Sequence, residues 1–264
     1  MPFLRISLFA LLLCLSTTSF SQKATYIANS GIFIQSGETK ILIDSFFDNG
    51  RGKFATPGAT QLDAMVAGKS PYNNLSLALI THSHPDHFNQ QKVAKLMSTQ
   101  KKLNCLTTPQ VVDSIESVMD NFESIHDRTL TFPLSRTWKT YSKDGLTVKA
   151  AYSRHAGKIN AKVQDLIFIV NVNGKKILHL GDADMNPDRF QELKLKYENI
   201  DVAFIPFWYM TGFYGAEIIN KYIAPKKVVA VHFPNNGSKQ SLAKIKQFVP
   251  EAIIFQNPGQ SVTF

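Results

Sequence analysis

The sequence contains only two cysteines, Cys14 and Cys105, and this scarcity excludes a fold held together by disulfide bonds. Cys14 lies in an N-terminal segment that we expect to be removed, so a single thiol remains and no intrachain disulfide can form. A hydrophobic core must therefore stabilise the chain. With 264 residues, 44% hydrophobic and 19% charged, the composition is typical of a folded domain and not of a disordered chain.

Long hydrophobic runs are also absent. The apolar run from Ile6 to Leu15 follows Arg5 and is too short to span a bilayer comfortably. It leads to Ser19-Phe20-Ser21, a small-x-small pattern typical of a signal peptidase site. We therefore predict a signal peptide over residues 1–21, a mature domain over 22–264, and export to the periplasm or the medium. The alternative is that the segment is retained as an N-terminal anchor.

Clusters of basic residues are missing, although the net charge is +9. Lysines are scattered and at most two are adjacent, as at Lys101-Lys102, whereas nucleic-acid-binding chains concentrate basic residues among aromatics. We therefore expect a small-molecule substrate and no nucleic-acid partner. Repeats, low-complexity tracts and Pro/Gly/Ser-rich linkers are absent too, which predicts one domain after the signal. The oligomeric state is left open.

Predicted strands and helices alternate in both halves of the chain. Apolar patterning predicts a hairpin from Thr25–Gln35 and Lys40–Ser45, and a strand over Leu75–Thr81. Asn173-Gly174 predicts a type I′ turn between two further strands, because both residues tolerate positive φ. Helices are predicted over 93–100, 109–122, 216–222 and 239–248. This mixture predicts two sheets packed together with helices outside.

Three of the seven histidines fall between residues 82 and 87, directly after a predicted strand. His82, His84, Asp86 and His87 supply imidazole and carboxylate groups, which are ligands for transition metals. A loop leaving a strand can direct His82 and His84 at one ion and Asp86 and His87 at a second. Buried together without an ion, these groups would remain unpaired or repel one another. The pattern therefore predicts a metal site.

Three further candidate ligands follow predicted strands elsewhere in the chain. His155 lies in "AYSRHAG", Asp182 in "LHLGDAD" and His232 in "KVVAVHF". Two other histidines are predicted to have different roles. His179 is an odd number of positions from Asp182 on a predicted strand, so pleat alternation favours core packing. His126 has no ligand-like neighbour and is predicted to lie at the surface.

The order of these motifs resembles the metallo-β-lactamase superfamily: an HxHxDH motif, a lone His, an Asp after a strand, and a last His. The resemblance covers residues 24–264. Within the superfamily, "THSHPDHF", "GDAD" and "VHF" look most like the group of ascorbate-6-phosphate lactonase and N-acyl-phosphatidylethanolamine phospholipase D. The resemblance implies an α/β fold, a four-layer αββα sandwich of two mixed β-sheets with helices on the outer faces.

The resemblance also implies how the ligands divide between two divalent metal ions. It places His82, His84 and His155 on one ion, Asp86, His87 and His232 on the other, and Asp182 between them. Zn²⁺ is the expected metal, although mixed nitrogen and oxygen sites also accept Mn²⁺, Fe²⁺ or Ni²⁺. Asp44 matches a position where the family often keeps an aspartate near the metals, and we predict that it orients a ligand imidazole. The alternative is an exposed turn carboxylate.

A two-metal site of this kind favours hydrolysis, because two cations can generate a hydroxide near neutral pH and polarise the substrate. Asp86 or Asp182 is the expected proton acceptor. We predict an exported hydrolase that uses this hydroxide to cleave an ester, lactone or phosphodiester. A β-lactamase and a non-catalytic metal-binding protein of the same fold remain alternatives.

An aromatic segment, "IPFWYMTGFYG" at residues 205–215, follows another predicted strand. Trp208 and Tyr209 are predicted to line the substrate cavity, since an apolar wall beside a few polar groups is typical of ligand pockets. The alternative is that aromatics of this segment belong to the core.

Overall fold

The computed structural model describes residues 22–237 and 239–264, so the predicted signal peptide over 1–21 lies outside the described residues. The strands are β1 (Gln22–Ala28), β2 (Gly31–Ser36), β3 (Thr39–Ile43), β4 (Leu77–Leu79), β5 (Asn104–Thr107), β6 (Thr129–Thr131), β7 (Lys139–Lys143), β8 (Leu146–Arg154), β9 (Gln164–Val172), β10 (Lys175–His179), β11 (Val202–Pro206), β12 (Val228–Val231), β13 (Ile253–Ile254) and β14 (Ser261–Thr263).

Helices occupy the connections between these strands. They are α1 (Ala59–Val66), α2 (Gln90–Thr99), α3 (Pro109–Glu116), α4 (Glu123–His126), α5 (Pro187–Leu193), α6 (Phe213–Glu217) and α7 (Lys239–Phe248). A π-helical segment, Ile218–Ile223, continues α6, and 3₁₀ turns lie at Lys158–Asn160, Leu195–Tyr197 and Phe207–Met210. Within the described part of the chain, no helix has the length and apolar character needed to cross a membrane.

The strands form two mixed sheets of seven strands each. The first has the order β14-β1-β2-β3-β4-β5-β6 and the second the order β13-β12-β11-β10-β9-β8-β7. Parallel pairing links β3 through β6 in the first sheet and β10 through β13 in the second. The carboxyl ends of neighbouring parallel strands therefore open at a common edge of each sheet, and this edge carries the predicted ligands.

Three apolar layers explain the four-layer arrangement. Ile32 and Ile34 of β2 face the second sheet, and Phe33 between them packs outward, as the two-residue period of a strand requires. The outer face of the first sheet packs against α1, α2 and α3, and that of the second packs against α5, α6 and α7. The predicted αββα sandwich is therefore confirmed.

Turn chemistry explains one prediction that holds and one that fails. Asn173 and Gly174 have φ values of 47° and 76° and close the β9–β10 hairpin as predicted. The continuous strand predicted over Thr25–Gln35 is wrong. Asn29 has φ of 50° and reverses the chain between β1 and β2, since asparagine tolerates this left-handed conformation better than most residues.

Candidate metal centre

All seven predicted ligands lie together where loops leave the strands. His82, His84, Asp86 and His87 follow β4, His155 follows β8, Asp182 follows β10, and His232 follows β12; the predicted orienting residue, Asp44, follows β3. Asn89 caps α2 by accepting a hydrogen bond from the Lys92 amide, which fixes the far end of the histidine loop. The groups whose ligand atoms lie within 4.8 Å of one another are His82, His84, His155 and Asp182; Asp86, His87 and His232; and Asp44, His82 and His87.

Asp182 lies between the first two groups. Its Oδ2 is 3.4 Å from His155 Nε2 and 3.3 Å from His232 Nε2, and its Oδ1 is 3.4 Å from His87 Nε2. The carboxylate thus contacts imidazoles from both predicted metal sites. The residues that the resemblance assigns to each ion fall in separate close groups with Asp182 between them, and their binding of two ions stays a prediction.

Asp44 is fully buried and holds His87 in place. Its Oδ2 is 2.8 Å from His87 Nδ1, and its carboxylate accepts hydrogen bonds from the Thr81 amide at 2.8 Å and the Thr81 hydroxyl at 2.6 Å. The exposed turn carboxylate considered as the alternative is excluded. Because Nδ1 is used by Asp44, His87 presents Nε2 to the cluster, as metal-binding histidines do.

Sequence reasoning missed a second buried carboxylate beside a predicted ligand imidazole. Asp165, at the start of β9, is fully buried with Oδ1 3.2 Å from His82 Nδ1. Gly181 packs against it so closely that a Cβ at residue 181 would lie 2.5 Å from that oxygen. A carboxylate opening an otherwise apolar strand, together with the glycine of "GDAD", is the sequence signal that identifies it in retrospect.

Backbone contacts orient two further predicted ligands, His155 and His232. His155 Nδ1 lies 2.7 Å from the Ala156 carbonyl oxygen, so its Nε2 also points into the cluster. His232 has φ of 65° and its amide donates to the Asn29 carbonyl at 2.8 Å. The Asn29 side chain in turn donates to the Asp86 carbonyl at 2.9 Å. Positive φ at a non-glycine residue is unfavourable and is concentrated at functional sites.

Buried polar atoms in this cluster have no partner of their own. Within the described residues, His82 Nε2, His155 Nε2, Asp86 Oδ1 and Asp182 Oδ1 lack any hydrogen bond. Leaving such an atom unpaired costs about 1–3 kcal/mol, more for a charged group. These are nitrogen and oxygen donors suited to a divalent transition metal. The residues therefore fit the metal ions that the resemblance implies.

Electrostatics prepares several of these groups for ligation. Burial holds the pKa of His82 well below its usual range and lowers the pKa of His84 to about 4, so both rings are neutral donors at physiological pH. Burial opposes charge on Asp182, but His232 and His87 outweigh it and hold the pKa of this carboxyl well below its usual range. Asp182 is therefore ionised in the cluster.

A cavity of about 550 Å³ opens directly onto the cluster. Its lining consists of Arg51, Lys53, Phe54, His84, Asp86, His155, Ala156, Gly157, Asn160, Asp182, Trp208 and His232. This volume suits a small-molecule ligand. A larger cavity of about 1010 Å³, around Lys101 and Tyr141, contains none of the predicted site residues.

The two predicted cavity aromatics have different positions. Trp208 lines the cavity, with its ring centroid 5.0 Å from that of His232. The prediction for Tyr209 is wrong: its ring is fully buried in the core, and its hydroxyl lies within hydrogen-bonding distance of two carbonyl oxygens, those of Ala183 at 2.8 Å and Asp184 at 2.9 Å. Consecutive side chains of a 3₁₀ turn point about 120° apart, so the rings of Trp208 and Tyr209 face different directions.

The predictions for the other two histidines are confirmed. His179 is buried, with Nε2 2.9 Å from the Ser30 carbonyl oxygen and Nδ1 accepting from the Gly181 amide at 3.1 Å. His126 has 61% of its side chain exposed and lies beside Asp127. Neither ring contributes to the metal cluster.

The fold and the cluster define a protein of the metallo-β-lactamase type. Residues 23–232 match the family model described as "Beta-lactamase superfamily domain". This match covers well over half of the chain, so the chain belongs to the metallo-β-lactamase superfamily.

Curated relatives and solved structures agree with this assignment. The chain is 25% identical over 252 residues to a UPF0173 metal-dependent hydrolase of Pyrococcus abyssi, covering 91% of this chain and 98% of that protein. The fold resembles that of YhfI from Bacillus subtilis, with a TM-score of 0.64, 14% identity, and coverage of 93% and 100%. It also resembles that of CmlA, a diiron β-hydroxylase from Streptomyces venezuelae, with a TM-score of 0.61, 12% identity, and coverage of 94% and 55%. At these identities the structural likeness establishes the fold alone.

Proposed function

We propose that the protein is an exported metal-dependent hydrolase that uses a dinuclear centre to cleave an ester, lactone or phosphodiester bond. The observation that carries the proposal is that the seven predicted nitrogen and oxygen ligands fall in two neighbouring close groups beside a cavity of about 550 Å³. Curated relatives in Pyrococcus abyssi and Staphylococcus haemolyticus are also named metal-dependent hydrolases.

The proposed ligand sets are His82, His84 and His155 for one ion and Asp86, His87 and His232 for the other, with Asp182 shared. Bound divalent ions would supply Lewis acidity and a hydrolytic nucleophile at neutral pH. Zn²⁺ is the proposed metal because imidazole and carboxylate donors suit it. His84 supports hydrolysis over diiron redox chemistry, since diiron oxidoreductases of the superfamily tend to carry a carboxylate at the matching position.

Proton transfer is proposed for one of the two carboxylates that line the cavity. Asp182 contacts three imidazoles within 3.4 Å, and Asp86 Oδ2 lies 3.5 Å from His232 Nε2. Asp86 Oδ1 and Asp182 Oδ1 both lack a hydrogen-bond partner among the described residues. Either carboxylate is therefore proposed to accept a proton from the reacting water or return it to the leaving group.

The test is metal content and turnover measured on the same preparations. Zinc-loaded protein should contain two metal ions per chain and should hydrolyse at least one member of a panel of lactones, phosphodiesters and β-lactams. Chelated protein should be inactive. His84→Gln should lose metal and activity, whereas the matched surface variant His126→Gln should keep both. Protein that retains no metal after incubation with zinc would contradict the proposal, and two bound ions without turnover would favour the non-catalytic alternative.

The same panel of lactones, phosphodiesters and β-lactams also tests the predicted resemblance to one group within the superfamily. Lactone or phosphodiester turnover would support a relationship to the group of ascorbate-6-phosphate lactonase and N-acyl-phosphatidylethanolamine phospholipase D. Turnover restricted to β-lactams would support the β-lactamase alternative instead.

Export is proposed from the N-terminal sequence. Cleavage after Ser21 would keep Gln22–Ala28 of β1, in which Lys23 pairs with Thr263 of β14. Mass spectrometry of the exported protein should find an N-terminus close to Gln22. Recovery of the full-length chain from the cytoplasm would contradict this part of the proposal.

A further inference from the structure

Two cationic side chains line the cavity beside the metal cluster without being candidate ligands. Arg51 and Lys53 belong to the segment "GRGKF" at residues 50–54 and both are exposed. Arg51 Nη1 lies 3.9 Å from Asp86 Oδ1. Both cations can therefore reach a molecule that enters the cavity.

Backbone contacts hold this segment against the loop that carries His232. Phe54 forms an isolated β-bridge with Pro234, and the Asn235 amide donates to the Lys53 carbonyl at 2.7 Å. The Phe54 amide donates to the Gly50 carbonyl at 2.9 Å, which closes the segment into a tight turn. The main chain at residues 51 and 53 therefore has a defined position relative to the cluster.

The charge of the cavity favours an anion. Asp86 and Asp182 are its only carboxylates in the described part of the chain, and both belong to the proposed ligand set. Two divalent ions would carry more positive charge than these two carboxylates neutralise. Arg51 and Lys53 add to that excess, so an anionic ligand is electrostatically favoured.

Two aromatic residues form part of the remaining wall. Rings of Phe54 and Trp208 flank His232, with centroid distances of 4.5 Å and 5.0 Å. Both residues line the cavity and supply an apolar surface for the ligand.

We infer that the substrate carries an anionic group, a carboxylate or a phosphate, recognised by Arg51 and Lys53, and an apolar portion that packs on Phe54 and Trp208. This inference rests on the proposed hydrolase function and specifies its substrate class. Arg51 and Lys53 are specificity-determining residues in this arrangement, and Trp208 positions the ligand.

Trp208 provides a direct binding signal. The chain has two tryptophans, and the indole of Trp138 donates to the Leu193 carbonyl at 3.0 Å, outside this cavity. In a Trp138→Phe background, Trp208 fluorescence is titrated with hexanoate, hexyl phosphate and the uncharged hexan-1-ol on protein of measured metal content. At least one anion should bind with a Kd about tenfold or more below that of the alcohol. The tighter of the two anions identifies carboxylate or phosphate as the preferred group.

Two double variants distinguish recognition by Arg51 and Lys53 from the effect of the overall charge of the protein. Arg51→Gln with Lys53→Gln should weaken anion binding and leave alcohol binding unchanged, whereas Lys69→Gln with Lys139→Gln, which removes the same charge from exposed positions outside the cavity, should leave both unchanged. Should the first pair fail to fold, salt titration of the unaltered chain by calorimetry replaces it, because added salt must weaken anion binding and not alcohol binding.

Two results would overturn the inference: equal affinity for hexan-1-ol and both anions, or anion binding unchanged by the Arg51 and Lys53 substitutions. Metal-loaded protein without charge preference contradicts this inference alone. Charge-dependent anion binding by protein that retains no metal and shows no turnover contradicts the proposed hydrolase function alone.

Discussion

Asp44→Asn is expected to weaken metal binding without unfolding the protein. The substitution keeps the size of the side chain, and asparagine tolerates the φ of 45° at this position as well as aspartate does. What changes is hydrogen bonding. The amide oxygen must accept from the Thr81 amide, because the opposite orientation would place two N–H donors against each other.

The substitution also changes the hydrogen bond that His87 makes at Nδ1. With its oxygen on Thr81, the substituted side chain presents its NH₂ group where the Asp44 oxygen lies, 2.8 Å from His87 Nδ1, and that nitrogen must then act as an acceptor. A neutral ring that accepts at Nδ1 carries its hydrogen on Nε2, so Nε2 cannot ligate a metal. Loss of such an orienting carboxylate weakens metal affinity by about 10- to 100-fold, equivalent to roughly 1.4–2.8 kcal/mol.

Competition with a chromophoric chelator measures this affinity, and thermal unfolding of the metal-free protein reports whether the fold is retained. Asp201→Asn is the control, because Asp201 is a buried carboxylate paired with lysines. It precedes β11, which is parallel to β10 and β12, so it lies at the opposite end of the sheet from the loops that carry Asp182 and His232. This variant should lose stability and keep its metal affinity. Wild-type metal affinity in Asp44→Asn would refute the tautomer argument.

Three further outcomes follow from buried groups. Burial raises the pKa of Cys105 to about 12, so iodoacetamide at pH 8 should modify it only after unfolding, and rapid labelling of the native protein would contradict its burial. Gly181→Ala should lower both the melting temperature and the metal affinity, because the added Cβ would lie 2.5 Å from Asp165 Oδ1. Gly174→Ala is the control: its φ is 76° and its added Cβ would have no atom within 4 Å, so only stability should change. Burial opposes charge on Asp201, but hydrogen bonds from lysines outweigh this effect and lower the pKa of its carboxyl. Asp201→Asn should therefore reduce the unfolding free energy by about 1 kcal/mol above pH 5. Chemical denaturation should show this difference disappearing as the pH falls below about 4, where the wild-type carboxyl becomes protonated.

The ligand set was accessible to sequence reasoning because each member follows a strand with a clear apolar pattern. The cluster from His82 to His87 is local in the chain, and Asp182 and His232 each follow an apolar strand segment that the pattern identifies. Carboxyl ends of parallel strands share one edge, so residues far apart in sequence could be expected together. The same reasoning could not place Tyr209, because adjacent residues in a 3₁₀ turn face different directions.

Asp165 shows what a local pattern cannot supply. It belongs to β9 of the second sheet, yet it holds His82, which follows β4 of the first sheet. The Leu166 amide also donates to the Thr81 carbonyl at 3.1 Å, so the backbones of the two sheets are joined beside the cluster. Partners of this kind depend on how one sheet is registered against the other, which strand periodicity does not specify. The metal cluster lies at this junction: the first sheet contributes the dense histidine motif, and the second contributes His155, Asp182, His232 and the carboxylate of Asp165 that fixes the first ring of the motif.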